Sequence, residues 1–218
     1  MNYKKEIVKD FNKLQGKFST YELWCDFLEM SSVALANSVS KVGYKEREKR
    51  YMDIVKKYNK DELDIFCKIL GKVTLALSDD FCDLLGDLYM EMELYNTEKG
   101  QFFTPYNLSQ LCSSIVFDKE RIDRDISKRG YTTMHEPSVG GGGMCVGLIE
   151  KMLEEGYNPQ EQLYIECGDL DIKAVHMTYI TLSLYGIPAK VYHMNTLTLE
   201  KFSEWHTPAY VMNYIKYK

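Results

Sequence analysis

Tyr131-Thr132-Thr133-Met134-His135-Glu136-Pro137-Ser138-Val139-Gly140-Gly141-Gly142-Gly143 is the stretch on which the fold turns. Its first five residues are rich in aromatic and β-branched types, the composition of a short strand. Four glycines follow, and then an apolar run from about Met144 to Glu154 that reads as a helix. Strand, glycine turn, helix is an arrangement that takes a ligand. The first N–H groups of the helix are unpaired, and the positive end of its dipole points at the turn. Glycine lets the backbone approach the ligand closely, because no Cβ intervenes.

Outward from this point, towards the C-terminus, the alternation continues. Leu163 to Cys167 reads as a second strand. Ile172 to Tyr185 reads as a helix ended by Gly186, with Pro188 just beyond. Ala189 to His193 is a third strand, followed by a short helix at about Leu199 to Trp205 and a strand at about Ala209 to Ile215. Such alternation implies a parallel sheet with helices packed on it. Towards the N-terminus, Tyr106 to Phe117 reads as a helix, and the character changes at Asn96-Thr97-Glu98-Lys99-Gly100. Before that the pattern is helical. One helix starts at Ser19-Thr20 with Glu22, and a second runs from about Lys45 to Tyr58. A third starts at Asp61 and carries Ile65, Ile69, Val73 and Leu77 on one face, and a fourth is opened by Asp79-Asp80. The expected architecture is α/β: an all-helical region over 1–98 and a Rossmann-like domain of about four strands over 99–218.

Composition narrows the function. The net charge of −5 lacks the basic balance of a protein that grips nucleic acid unaided, so any DNA contact is local, weak or shared with a partner. The basic positions around Lys41, Lys45, Arg47 and Arg50 are interleaved with Glu46, Glu48 and Asp53 and read as a solvated helix face. None of the six cysteines forms a C-x-x-C pair, and the four histidines complete no zinc pattern, so reduced thiols and a cytoplasmic protein are expected. There is no secretory h-region, and no uncharged run approaches the ~20 residues of a membrane span.

Three nucleotide-binding readings compete for the glycine run. The dinucleotide fingerprint places its third glycine where Cys145 or Val146 stands. The P-loop needs Lys and Ser or Thr after its last glycine, whereas Leu148 and Ile149 follow Gly147. The remaining reading is the loop for S-adenosylmethionine (SAM): an acid and a proline, Glu136-Pro137, before a glycine cluster. Asp169 and Asp171, at the end of the second strand, stand where an acid accepts hydrogen bonds from ribose hydroxyls.

With these residues in view, the chain resembles the N-6 adenine DNA methylase family, which includes the modification subunits of type I restriction systems. Gly100-Gln101-Phe102-Phe103-Thr104-Pro105 is similar to the family's G-Q-F-F/Y-T-P motif, Glu136-Pro137 with the glycines to its D/E-P-x-x-G-x-G loop, and Gly168-Asp169-Leu170-Asp171 to its second-strand motif. The resemblance implies SAM as cofactor and adenine in DNA as target. It implies Phe103, Thr104, Pro105, Glu136, Pro137, Gly140, Gly141 and Gly142 around the cofactor, with Phe102 beside them. Asp169 would hold the ribose, and Leu170 and Asn195 would touch the adenine ring.

One family feature is missing. The catalytic Asn/Asp-Pro-Pro-Tyr/Phe signature, which binds the flipped adenine's amino group and stacks on its ring, has no match. The nearest stretch is Thr207-Pro208-Ala209-Tyr210, which makes Thr207, Pro208 and Tyr210 the degenerate catalytic candidates. Two readings follow. One is a DNA adenine methyltransferase that works with a partner chain. The other is a catalytically inactive SAM-binding module with a regulatory or anti-restriction role. The apolar run Ala209 to Ile215, read as a bare sheet edge, implies a partner protein or a second copy there.

Overall fold

The computed structural model describes residues 2–94 and 103–217, with the main chain only at 214 and 215. Five helices come first: α1 (Tyr3–Leu14), α2 (Thr20–Val39), α3 (Tyr44–Val55), α4 (Lys60–Asp79) and α5 (Leu84–Glu91). After the undescribed stretch come α6 (Tyr106–Val116), α7 (Lys119–Arg129), β1 (Thr132–Glu136), α8 (Gly143–Glu154), α9 (Pro159–Gln162) and β2 (Leu163–Asp169). Then follow α10 (Ile172–Leu184), β3 (Ala189–Asn195), β4 (Glu200–His206), α11 (Pro208–Met212) and a 3-10 turn at Tyr214–Tyr217.

The N-terminal caps explain where the first helices begin. Ser19 and Glu22 form a reciprocal capping box at α2, as the sequence indicates. For α4 the cap is Asn59 with Glu62 rather than Asp61, which lies in the first turn. For α5 it is Asp83, because Asp79 still belongs to the end of α4. Neither α1 nor α7 is evident from the sequence. α7 buries only Ile122, so it shows almost no apolar stripe.

The sheet has the order β1-β2-β3-β4, the first three parallel and β4 antiparallel to β3. Two expectations at the C-terminal end are corrected. Glu200 to His206 is a strand, where a helix was expected; its main chain pairs with β3 while most of its side chains stay exposed. Residues 208–212 are helical, where a strand was expected. Thr207 caps them and Pro208 occupies the first turn, a combination that starts a helix. The sheet edges are therefore β1 and β4, and no edge strand lies at 209–215.

Side-chain alternation gives the sheet two covered faces. Leu163, Ile165 and Cys167 pack into one core with Val146, Ile149, Val175 and Tyr179 from α8 and α10. On the opposite face Tyr164 stacks on Tyr210 and Tyr217, with centroids 5.7 and 5.3 Å away, and Tyr131 closes the cluster. The larger core is continuous with the N-terminal helices. It runs through Ile7, Phe11, Trp24 and Phe27 to Leu85 and Tyr89, and on to Val175 and Val191. α2 lies along α10, and the Tyr185 hydroxyl, just past α10, accepts the Cys82 N–H at 3.1 Å. Burying each of Trp24, Phe11 and Phe27 contributes about 1.5–3 kcal/mol, so this joint is a main source of stability. Among the described residues no helix is long and apolar enough to cross a membrane.

Candidate functional site

The site lies at the carboxyl ends of β1, β2 and β3, where hydrogen bonds hold three turns together. The Val139 N–H donates to the Gly168 carbonyl at 2.9 Å, which ties the glycine loop to β2. One oxygen of Asp169, Oδ2, accepts the Gly140 N–H at 2.9 Å, and Oδ1 accepts the Asp171 N–H at 2.9 Å. The Thr178 hydroxyl donates to the Gly140 carbonyl at 3.1 Å, and Thr196 donates to the Pro137 carbonyl at 2.6 Å. Asn195 Oδ1 accepts the N–H groups of Leu197 and Thr198, which folds the turn after β3. Leu170 sits beside this frame with its side chain 60% exposed, a flat apolar surface at the rim.

The glycines answer to neighbours within the chain. Gly140 and Gly142 have φ of +55° and +99°, conformations that side chains resist. Gly143 has an ordinary φ, yet a Cβ there would lie 2.9 Å from Asp83 Oδ2 and 3.1 Å from Ser109 Oγ. The close approach is made by α5 and α6 from below the loop.

What remains between these elements is a small cavity of about 110 Å³, with Asp83, Phe103, Thr104, Ser109, Ser138 and Met144 around the glycine backbone. Phe103, Thr104, Gly140 and Gly141 therefore share one cavity. Pro105 is the exposed residue before α6, and Gly142 is buried against Thr178. Glu136 caps the turn after β1 by accepting the Ser138 N–H, with Pro137 exposed beside it. Gly100, Gln101 and Phe102 lie outside the described residues. A second, larger groove of about 520 Å³ runs along the free edge of β1, lined by Val116, Phe117, Met134, Glu136 and Leu148 among others.

Thr207, Pro208 and Tyr210 do not join the site. Thr207 Oγ1 donates to the Ile187 carbonyl at 2.7 Å and accepts the Ala189 N–H at 2.9 Å, at the start of β3. The cofactor candidates stand at the other end of that seven-residue strand, roughly 20 Å away at ~3.3 Å per residue. Thr207 is fully buried, and Tyr210 is buried against Tyr164. Capping and packing account for both.

Two cavity residues escape a reading of the sequence. Asp83 is 3% exposed, and burial pushes its carboxyl up to about 6, opposed by the Gly86 N–H that donates to Oδ1 at 3.0 Å. Ser109 is fully buried and its hydroxyl has no hydrogen-bond partner. Among the described residues no cluster of His, Cys, Asp and Glu is suited to a metal ion.

No solved structure matches the chain. Purple acid phosphatase 23 of Arabidopsis thaliana is 28% identical over 90 residues, 39% of this chain and 20% of that protein, so the chain spans about a fifth of that relative's length. The model of the N-6 DNA Methylase family matches residues 81–218, from the residues just before α5 through the whole sheet. With the glycine loop, the Asp169 contact and well over half of its length inside that match, the chain belongs to the N-6 DNA methylase family.

Proposed function

We propose that this chain is the SAM-binding part of a cytoplasmic adenine-specific DNA methyltransferase whose target-base pocket is completed by a further polypeptide segment. The observation that carries the cofactor reading is the placement of the Asp169 carboxylate. It is fixed by the Gly140 and Asp171 N–H groups at the end of β2, and further lone pairs remain for two ribose hydroxyls. The residues suit the cofactor: a Cβ at Gly143 would fill part of the cavity, and the Ser109 hydroxyl within it is unpartnered. Bound SAM would supply a sulfonium-activated methyl group. Leu170 offers a surface to the adenine ring, Thr104 and the glycine backbone face the amino-acid end, and Asn195 shapes the turn at the far rim.

A second reading, a SAM-binding module without catalysis of its own, is favoured by one observation. Thr207 and Tyr210 lie at the wrong end of β3 and are committed to packing. Both readings give the isolated chain cofactor binding without methyl transfer. The groove along β1 and the exposed Leu108, Leu111 and Ile115 of α6, at helical spacing, suit a strand and helix that bring an Asn/Asp-Pro-Pro-Tyr motif beside the glycine loop.

The test is calorimetric titration with SAM and with S-adenosylhomocysteine, paired with tritiated methyl transfer to unmethylated DNA. Wild type is expected to bind both ligands, and Asp169→Ala to bind ~10-fold or more weakly, as a charged hydrogen bond contributes roughly 1.5–3 kcal/mol. No binding at millimolar ligand refutes the cofactor reading. Methyl transfer by the chain alone that disappears in Asp169→Ala refutes the need for a further segment.

A further inference from the structure

We propose that Asp83 and Ser109 together receive the α-ammonium group at the amino-acid end of the cofactor, an assignment that rests on the SAM reading above. Asp83 belongs to the cap of α5, not to the sheet, and α5 is pressed against the loop so closely that a Cβ at Gly141 would lie 3.2 Å from Gly86 Cα. Its Oδ1 is occupied by the Gly86 N–H. Its Oδ2 lies against Gly143, on the cavity that Ser109 also lines. Among the described residues no Lys or Arg forms an ion pair with Asp83; the nearby Lys4 pairs with Asp87 instead.

A buried carboxylate without a cation, next to a buried hydroxyl without a partner, defines the chemistry of the missing group. A cation meets it most fully, because an anion or an apolar group leaves the carboxylate's desolvation unrelieved and a neutral donor offsets no charge. The group must also donate at least two hydrogen bonds, one to Asp83 Oδ2 and one to Ser109 Oγ. An ammonium carries three such donors. The sulfonium of SAM is positive but has no N–H, so it cannot satisfy Ser109. The glycine loop then sets the direction of the ligand. The nucleoside lies at the Gly140 and Asp169 end and the amino-acid end lies at Gly143.

The experiment compares two ligands on the whole chain. S-adenosylhomocysteine carries the ammonium, and 5′-methylthioadenosine has the same nucleoside without the amino-acid end. Asp83→Asn keeps an acceptor for the Gly86 N–H and therefore the cap of α5. It is expected to weaken S-adenosylhomocysteine ~10- to 100-fold, the worth of a charge-assisted hydrogen bond, and to leave 5′-methylthioadenosine within twofold. Ser109→Ala is expected to weaken the first ligand several-fold and spare the second. Equal loss of both ligands, or no loss of either, overturns the assignment while leaving SAM binding intact. Binding of neither ligand by wild type overturns both.

Discussion

Asp83→Asn should make the ligand-free protein more stable at neutral pH. The carboxyl is 3% exposed and burial raises it from 3.8 to about 6. An acid whose folded value lies above its unfolded value contributes stability below the unfolded value and loses it as pH rises through the folded one. Between pH 3.8 and 6 the unfolded chain ionises while the folded one holds the proton, so stability falls; above 6 the folded protein carries a charge that burial opposes. Above pH 6 the difference amounts to about 3 kcal/mol, since one unit corresponds to ~1.4 kcal/mol. Asparagine has no charge to bury and caps a helix about as well as aspartate. The other titrating groups around Asp83 are Asp87 on α5, Lys4 on α1, the Cys82 thiol and the Tyr185 hydroxyl, and all four are the same in both proteins. The assay is urea unfolding followed by circular dichroism at pH 8, 6.5 and 4. The variant is expected to be more stable by about 2–3 kcal/mol at pH 8, by nearly as much at pH 6.5, and by well under ~1 kcal/mol near pH 4. A variant equal to or weaker than wild type at pH 8 refutes the reasoning, because the carboxylate would then have a compensating partner.

Three further outcomes are expected. Gly143→Ala places a methyl 2.9 Å from Asp83 Oδ2 and should cost about 1–3 kcal/mol in urea unfolding; it should also abolish S-adenosylhomocysteine binding in calorimetry. Thr207→Ala removes the α11 cap and the acceptor for the buried Ala189 N–H, and should cost about 2 kcal/mol while leaving ligand affinity unchanged, as its distance from the glycine loop requires. Leu199→Gly relieves a left-handed leucine at φ +61° in the turn before β4, and thermal unfolding should show no loss and a gain of up to ~1 kcal/mol.

The sequence was most legible where local chemistry decides the outcome. Ser19 with Glu22, Gly186 after α10, and the three parallel strands around the glycine run all stand close to where composition and spacing put them. β4 was illegible because Glu200-Lys201-Phe202-Ser203-Glu204 carries ordinary helix formers, and main-chain pairing with β3 overrides that preference without burying a side-chain pattern. α11 did carry its signal, in Thr207-Pro208, but the apolar run after it resembles an edge strand. The position of Asp169 at the end of β2, beside the glycine loop, was legible from the strand pattern. Asp83 was not, because an acid before a leucine-rich run announces only a cap; its second role depends on α5 meeting the glycine loop across more than fifty residues of sequence.

The shared core of the N-terminal helices and the sheet bears on how the molecule comes apart. Trp24 on α2 faces Tyr89 on α5, and α2 packs along α10, so the residues matched by the family lean on residues that precede the match. A fragment begun at residue 81 would uncover the flank of α10 that α2 occupies, and should be recovered as aggregate rather than as a soluble domain. The intact chain, in turn, should melt in a single calorimetric transition, with amides of α2 and β2 exchanging for deuterium at the same rate under conditions that report global opening.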